Sequence, residues 1–297
     1  MENNSLKSRI LNCAWLVLQH TMPTKAYLKL KYRVVFKQSL NLDNPQTYSE
    51  TLQWIKLYGY RPEHTVMVDK VLVKEYVRNI IGDEYIIPTL AVWDTPDDMD
   101  FDSLPDRFVL KCNHDSGRVV ICRDKGTFDR QKAFREMKAS FRHNYYLMGR
   151  ETPYKYVNRK VFAEQFMQDD VTSDIRDYKF FCFDGEPKAM FVASERATDV
   201  KFDFYDMEFN HLPLRQGYDH SPYHIGKPEN FELMKELAAK LSKGIPHVRV
   251  DLYEINGKVY FGELTFFHFS GFMPFEPADW DKTWGDWLTL PKRTDII

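Results

Sequence analysis

A chain of 297 residues with a formal net charge of -2 and a pI near 6.5 offers no general electrostatic attraction to nucleic acid. Its 43% hydrophobic and 28% charged residues are those of an ordinary globule, long enough to bury a full core in two subdomains. Four cysteines, Cys13, Cys112, Cys122 and Cys182, contain no C-x-x-C spacing, which excludes a disulfide framework or zinc finger and fits a reducing, cytoplasmic setting.

The apolar run from Ile10 to Leu18 is too short to span a bilayer, is interrupted by Asn12 and is followed by no A-x-A cleavage site. It reads as a helix packed on the domain or lying at a membrane surface, a peripheral association, rather than as a signal peptide. The helical pattern continues to about Tyr60, with the basic segment Lys25 to Lys37 in its middle and a turn at Asn44-Pro45. Val66 to Ile81 carries apolar residues at helical spacing and stops at Gly82, which predicts one helix with Lys70 and Lys74 a turn apart on the same face. Tyr85 to Val92 reads as a strand.

Phe108 to Asn113 and Arg118 to Arg123 are strands joined by the turn His114-Asp115-Ser116-Gly117. A lysine among buried-type residues must reach solvent or meet an anion. The small residues of the turn can aim amide groups at phosphate oxygens, so Lys111 is a candidate nucleotide-phosphate ligand. Asp129 to Tyr146 is an amphipathic helix and Val161 to Met167 a strand, in which Glu164 is either an edge-strand carboxylate or a contact to ribose or adenine. Asp177 to Phe183 turns at Asp184-Gly185 into Lys188 to Ser194, which gives Lys179 a fixed direction. Asp199 to Gly226 reads as loop, and the spacing of His211, His220 and His224 fits no compact metal template. A helix from Glu232 to Lys243 follows, and Trp280, Trp284 and Trp287 near the end are spaced as a packed helix face. The 15% aromatic content is read as core packing.

The most informative stretch is Val248 to Gly271. Val248, Val250 and Leu252 alternate with Arg249, Asp251 and Tyr253; after Asn256-Gly257, Tyr260, Gly262 and Leu264 alternate with Phe261, Glu263 and Thr265. A loop of Asn256 and Gly257 alone would put Asp251 and Glu263 on opposite faces. A loop of Ile255, Asn256 and Gly257, with Gly257 as a left-handed bulge residue, sets Arg249 opposite Glu263 and brings Arg249, Asp251, Glu263 and Thr265 to one face. Two carboxylates and a hydroxyl suit a hard divalent cation such as magnesium, and the arginine offers a fork for phosphate oxygens.

Taken in order, DKVLVKEYV (Asp69 to Val77), RFVLKCNHDSG (Arg107 to Gly117), FAEQF (Phe162 to Phe166), DYKFFCFDG (Asp177 to Gly185), VRVDLY (Val248 to Tyr253) and YFGELTFFHFSG (Tyr260 to Gly271) resemble the TupA-like ATP-grasp family of capsule and teichuronopeptide biosynthesis. The resemblance implies an α+β, ATP-grasp fold in which two β-rich subdomains clamp ATP. It divides the chain into a helical N-terminal segment (1–60), the first part of the ATP-grasp (61–105), a lid (106–165) and a C-terminal subdomain with the metal site (166–297). It further implies that Lys70 and Lys111 hold phosphates, that Ser116 and Gly117 form a flap, and that Glu164, Gln165 and Phe166 frame adenine and ribose. Asp251 and Glu263 would bind Mg2+ with Thr265 beside them, where many superfamily members have asparagine, and Arg249 and Lys179 would stabilise charge developed in the reaction. The implied function is an ATP-dependent carboxylate-amine ligase. It would join a uronic acid of a surface polysaccharide, or its precursor, to an amino acid or small amine through an acyl phosphate. A sugar kinase and a capsule glycosyltransferase are the alternatives.

Overall fold

The computed structural model describes residues 15–170, 175–195 and 199–294. Cys13 and most of the apolar run Ile10 to Leu18 fall outside them. No helix among the described residues is long and apolar enough to cross a membrane.

Two antiparallel sheets carry the molecule. The first has strands β1 (Thr89–Trp93), β2 (Phe108–Cys112), β3 (Val119–Cys122) and β4 (Val161–Gln165) in the order β1-β4-β2-β3. The second has β5 (Asp177–Phe183), β6 (Glu186–Ser194), β7 (Lys201–Tyr205), β8 (His247–Ile255) and β9 (Lys258–Thr265) in the order β7-β6-β5-β8-β9. Residues 15–21 are helical, and after them come α1 (Thr24–Phe36), α2 (Tyr48–Tyr58), α3 (Pro62–Val68), α4 (Val73–Ile81), α5 (Arg130–Arg142), α6 (Tyr145–Gly149), α7 (Phe231–Ser242) and α8 (Asp279–Asp286).

β5 is central, and all its side chains except Lys179 are buried, as expected of a strand covered on both faces. α7 packs on β5, β6 and β8. On the other face Trp284 of α8 meets Phe181 at 4.5 Å between ring centroids and Tyr48 of α2 at 5.5 Å. The aromatic excess is therefore core. The tryptophan spacing near the chain end is a helix face, as its periodicity predicted, with Trp284 fully buried. α5 closes one face of the first sheet through Ala133 and Met137. Cys112 and Cys122 are both buried and free. Cys122 pairs in register with Phe108, at the opposite end of β2 from Cys112.

Local signals explain several boundaries. Thr47 caps α2 in a reciprocal capping box with Glu50, and Asp129 caps α5 by accepting from Lys132 N at 2.8 Å. The single helix predicted over Val66 to Ile81 is a misreading. Asp69 accepts from Val71 N at 2.9 Å and from Leu72 N at 3.2 Å, and its extended ψ of 111° ends α3 before α4 begins. Lys70 consequently lies in the break and not on a shared face with Lys74. β7 is a strand inside the segment read as loop; it lies at the sheet edge, where tertiary pairing decides what weak local patterning leaves open.

The β8–β9 hairpin corrects the predicted register. Its loop is Asn256-Gly257 alone, with φ of 51° and 72°, the left-handed pair of a tight hairpin turn, and Ile255 pairs with Lys258. That loop by itself would separate Asp251 and Glu263. A bulge restores them: Leu252 pairs with Phe261 but Asp251 pairs with Glu263, so Gly262 is an extra residue that flips the register by one. Arg249 then faces Thr265, not Glu263. A side chain at Gly262 would meet the Asp251 carbonyl at 3.0 Å and the Tyr253 ring at 3.1 Å, which is why the bulge takes glycine.

Candidate active site

Arg249, Asp251, Glu263 and Thr265 do share one face, at the rim where the second sheet approaches the first. The Arg249 guanidinium forks onto Asp251, with Nε donating to Oδ1 at 2.7 Å and Nη2 to Oδ2 at 2.6 Å. Nη2 also donates to Thr265 Oγ1 at 3.0 Å, and Thr265 Oγ1 donates to Glu263 Oε1 at 3.1 Å. Lys179, on the neighbouring strand β5 and in register with Asp251, pairs with Asp251 and with Asp177 Oδ2 at 2.6 Å. Asp251 is fully buried and accepts on both oxygens; Glu263 keeps 31% of its side chain exposed. Burial pushes the pKa of each carboxyl up. At Glu263 this is outweighed by Lys70, Lys179 and Arg249, which hold it well below the usual carboxylate range. At Asp251 burial prevails over Arg249 and Lys179 and the value is raised, yet every hydrogen bond the group makes is one it accepts.

Lys70 connects the two sheets. Its amide donates to the Asn113 carbonyl at 3.1 Å, just past β2, while its ammonium stands 3.5 Å from Glu263 Oε2. Asn113 is fully buried and fixes this junction by donating to Asp69 Oδ2 at 2.8 Å and accepting from Lys160 N at 2.7 Å. On the first sheet Glu164 is clasped by Lys111 of β2 at 2.5 Å and by Lys74 of α4 at 2.6 Å. Burial tends to raise the Glu164 pKa, but the two lysines lower it, so the carboxylate stays ionised. The lysine in the strand thus meets an anion, as its position required.

The remaining predicted residues are placed less centrally. Ser116 and Gly117, with φ of 83° at the glycine, form the exposed tip of the β2–β3 turn. The base of that turn is held by buried Asp115, which accepts from Ser140 Oγ at 2.5 Å and pairs with His143 Nδ1 at 2.9 Å. Gln165 is exposed and alternates away from Glu164 along β4. Phe166 lies between the guanidiniums of Arg107 and Arg123, at 4.8 and 5.2 Å from its ring centroid.

Several participants were invisible to sequence reasoning. His268 accepts from Arg249 Nη1 at 2.6 Å through Nδ1, which puts its proton on Nε2, and that nitrogen has no partner among the described residues. Burial, with Arg249 and Lys179 beside it, holds the His268 pKa well below its ordinary value, so the ring is neutral. Phe269, Ser270 and Gly271 follow in left-handed conformation with φ of 48°, 55° and 61°, and Ser270 ties this turn to buried Glu151. Lys56, also buried, donates to the Ser270 carbonyl at 2.7 Å. Lys74 is another: its pattern marked it only as a helix-face lysine, because the strand carrying Glu164 is distant in sequence.

Chemically, the site presents hard oxygen donors from Asp251, Glu263 and Thr265, with Glu263 the accessible one, and this donor set fits Mg2+. Lys70, Lys179 and Arg249 gather around Glu263, and Lys74 and Lys111 around Glu164 on the first sheet, a cationic supply of the kind suited to a polyphosphate.

A family model described as TupA-like ATPgrasp matches residues 50–289. No protein with a curated record matches the chain. Among solved structures, D-alanine–D-alanine ligase from Bacillus anthracis complexed with ATP is 16% identical, with a TM-score of 0.40, over 68% of this chain and 54% of its own. D-Alanine-D-alanine ligase from Helicobacter pylori is 17% identical, with a TM-score of 0.40, over 75% of this chain and 62% of its own. The ATP-grasp ligase PsnB, complexed with precursor peptide PsnA2 and AMPPNP, is 12% identical, with a TM-score of 0.40, over 77% and 60%. The chain thus spans less than two thirds of the length of each.

Proposed function

The chain belongs to the TupA-like ATP-grasp family, and from that membership together with the site we propose that it is an ATP-dependent carboxylate-amine ligase. The observation that carries this reading is the pairing of Asp251 with Glu263 across β8 and β9, with Lys70 reaching Glu263 from the end of the first sheet. In this reading residues 1–60 are a helical N-terminal segment, 61–105 open the ATP-grasp, 106–165 form its lid, and 166–297 hold the metal side.

A carboxylate of the acid substrate attacks the γ-phosphorus of ATP; the bond to the bridging oxygen breaks and ADP leaves, giving an acyl phosphate. The amine then attacks the carbonyl, phosphate departs with the bonding electrons, and the amine nitrogen releases its proton to solvent. Lys70 and Lys111 hold phosphate oxygens, for which a triphosphate competes with Glu263 and Glu164. Ser116 and Gly117 close over them, and Glu164, Gln165 and Phe166 border the nucleoside. Arg249 and Lys179 neutralise charge on the transferring phosphoryl group and on the tetrahedral carbonyl adduct. Mg2+, held by Glu263, Asp251 and Thr265, supplies charge neutralisation and alignment of phosphate oxygens when bound.

We take the acid to be a uronic acid of a surface polysaccharide or its precursor, and the amine to be an amino acid or small amine; this finer reading rests on the sequence resemblance to capsule and teichuronopeptide proteins. The test is a matrix of uronates against amines with ATP and Mg2+, read by ADP release and by mass detection of the amide. Amide and ADP are expected only when acid and amine are both present. A phosphorylated sugar formed without amine would make the protein a kinase. Stabilisation by UDP-sugars but not by ATP would make it a glycosyltransferase.

A further inference from the structure

The segment read as loop around β7 brings together three ligand-type side chains that no step of the proposed reaction uses. Asp203 on β7, His211 and His220 each offer one ligand atom, and these atoms all lie within 4.8 Å of one another. Asp203 Oδ1 is 3.3 Å from His211 Nε2 and 3.4 Å from His220 Nδ1. Ligands held at about 2.0–2.1 Å from a tetrahedral zinc ion lie about 3.3–3.4 Å apart, so two edges of such a site are already present. The two imidazoles meet edge to face, centroids 4.7 Å apart at 69°.

We propose that Asp203, His211 and His220 bind a divalent transition-metal cation of the zinc class, which clasps residues 206–220 to the edge of the second sheet. Two imidazoles and one carboxylate favour zinc over magnesium, because nitrogen donors suit the softer ion. Asp203 is buried and its other oxygen accepts from Ser221 N at 3.1 Å, which orients Oδ1 toward the two rings. The imidazoles are partly exposed, with 43% and 31% of their side chains accessible, so a cation can reach them. Without a cation, His220 Nδ1 lies 3.1 Å from the Phe202 carbonyl, where a ring proton satisfies it; the cation takes that proton's place.

The backbone around the cluster is built to converge. Leu212 N donates to Phe204 O at 2.8 Å and Phe202 N to Asp219 O at 3.0 Å, so the two arms of the excursion add to the free edge of β7 and carry His211 and His220 to Asp203. The same excursion supplies Tyr218, whose ring packs on Phe202 at 4.5 Å and on Phe269 at 6.1 Å. Phe269 in turn packs at 4.3 Å on His268, the residue that holds Arg249. A cation at the clasp therefore steadies the wall behind the catalytic arginine, while Asp251 and Glu263 serve a different ion.

The test uses the full chain stripped with chelator, then given Zn2+ or Mg2+ alone. Stoichiometric zinc retained after gel filtration and a rise in Tm with Zn2+ but not Mg2+ are expected, and Co2+ should give the visible absorption of a tetrahedral site. His211→Gln and His220→Gln, both at partly exposed positions, should each lose the retained zinc and the Co2+ spectrum while still being stabilised by ATP with Mg2+. Zinc retained equally by both variants, or by neither they nor the wild-type chain, would overturn the clasp. Loss of ATP stabilisation with zinc binding intact would instead count against the ligase reading.

Discussion

Lys70 and Glu263 stand 3.5 Å apart, and this contact joins the loop anchored at the end of β2 to β9 of the second sheet. It is partly exposed on both sides, 18% and 31%, so its contribution to stability is small, about 0–1 kcal/mol. Lys70→Ala should leave denaturant unfolding nearly unchanged while raising the KM for ATP by roughly tenfold or more, as expected for loss of a charge-assisted phosphate contact. An unchanged ATP affinity would remove Lys70 from the phosphate site.

Under the proposed reaction, Glu263→Gln should abolish turnover with the fold intact, because it removes the charge proposed to bind the cation and not a core side chain. Gly262→Val tests the bulge by a different route. Its Cβ would stand 3.0 Å from the Asp251 carbonyl oxygen, and the expected cost is about 1–3 kcal/mol together with loss of activity. Circular dichroism and denaturant unfolding separate the two variants: Gly262→Val should lower the midpoint further than Glu263→Gln does.

Under the proposed reaction, His268 is a positioning residue acting through the Arg249 guanidinium it accepts from. His268→Phe keeps the ring volume but removes the acceptor at 2.6 Å, and a hydrogen bond to a charged group is worth about 1.5–3 kcal/mol, so kcat should fall roughly tenfold to a hundredfold with little change in the KM for ATP. His268→Asn, which retains an acceptor, should recover part of the loss. Equal effects on kcat and KM would point to general disorder of the site.

Acid should destabilise the protein in two windows. His64 and His114 are each pushed down to about 4, chiefly by burial. A depressed folded pKa means the unfolded chain binds the proton more tightly, so their contribution is complete above the ordinary histidine value of about 6.5 and is lost as pH falls toward 4, roughly 3 kcal/mol for each. The depressed carboxyls of Glu164 and Glu263 lose theirs only below about pH 4.5. Unfolding free energy measured against pH should begin to fall near pH 6.5, and His64→Asn should flatten that upper limb.

Lys56 and Glu151 are buried and joined through Ser270, with Lys56 lowered and Glu151 raised chiefly by burial. Lys56→Met leaves Glu151 without its cation and should destabilise by about 3–5 kcal/mol. Adding Glu151→Gln should recover part of that loss in urea unfolding, since the orphaned charge is gone.

The alternation of Val248 to Leu252 and Tyr260 to Leu264, the lysine set among buried residues in β2, and the helical spacing of Asp129 to Tyr146 and Glu232 to Lys243 were enough to place both arms of the acidic hairpin, β2 and most helices, because each is a pattern among neighbours in the chain. The same reading put a continuous helix through Asp69, whose side chain competes for the backbone only once Asn113 fixes it. It also gave the hairpin the wrong loop, yet the right face for Asp251 and Glu263, since an extra residue at the turn and an extra residue at Gly262 have the same effect on parity.

What local order determined about this protein is therefore which side chains alternate, which segments coil, and which residue types are at hand for a phosphate and a hard cation. What only the tertiary structure decided is their partners: Glu164 for Lys74 and Lys111, His268 for Arg249, Asp203 for His211 and His220. Those pairings join side chains on different strands, helices and loops, where sheet order and register, fixed by burial of both sheets, set every distance.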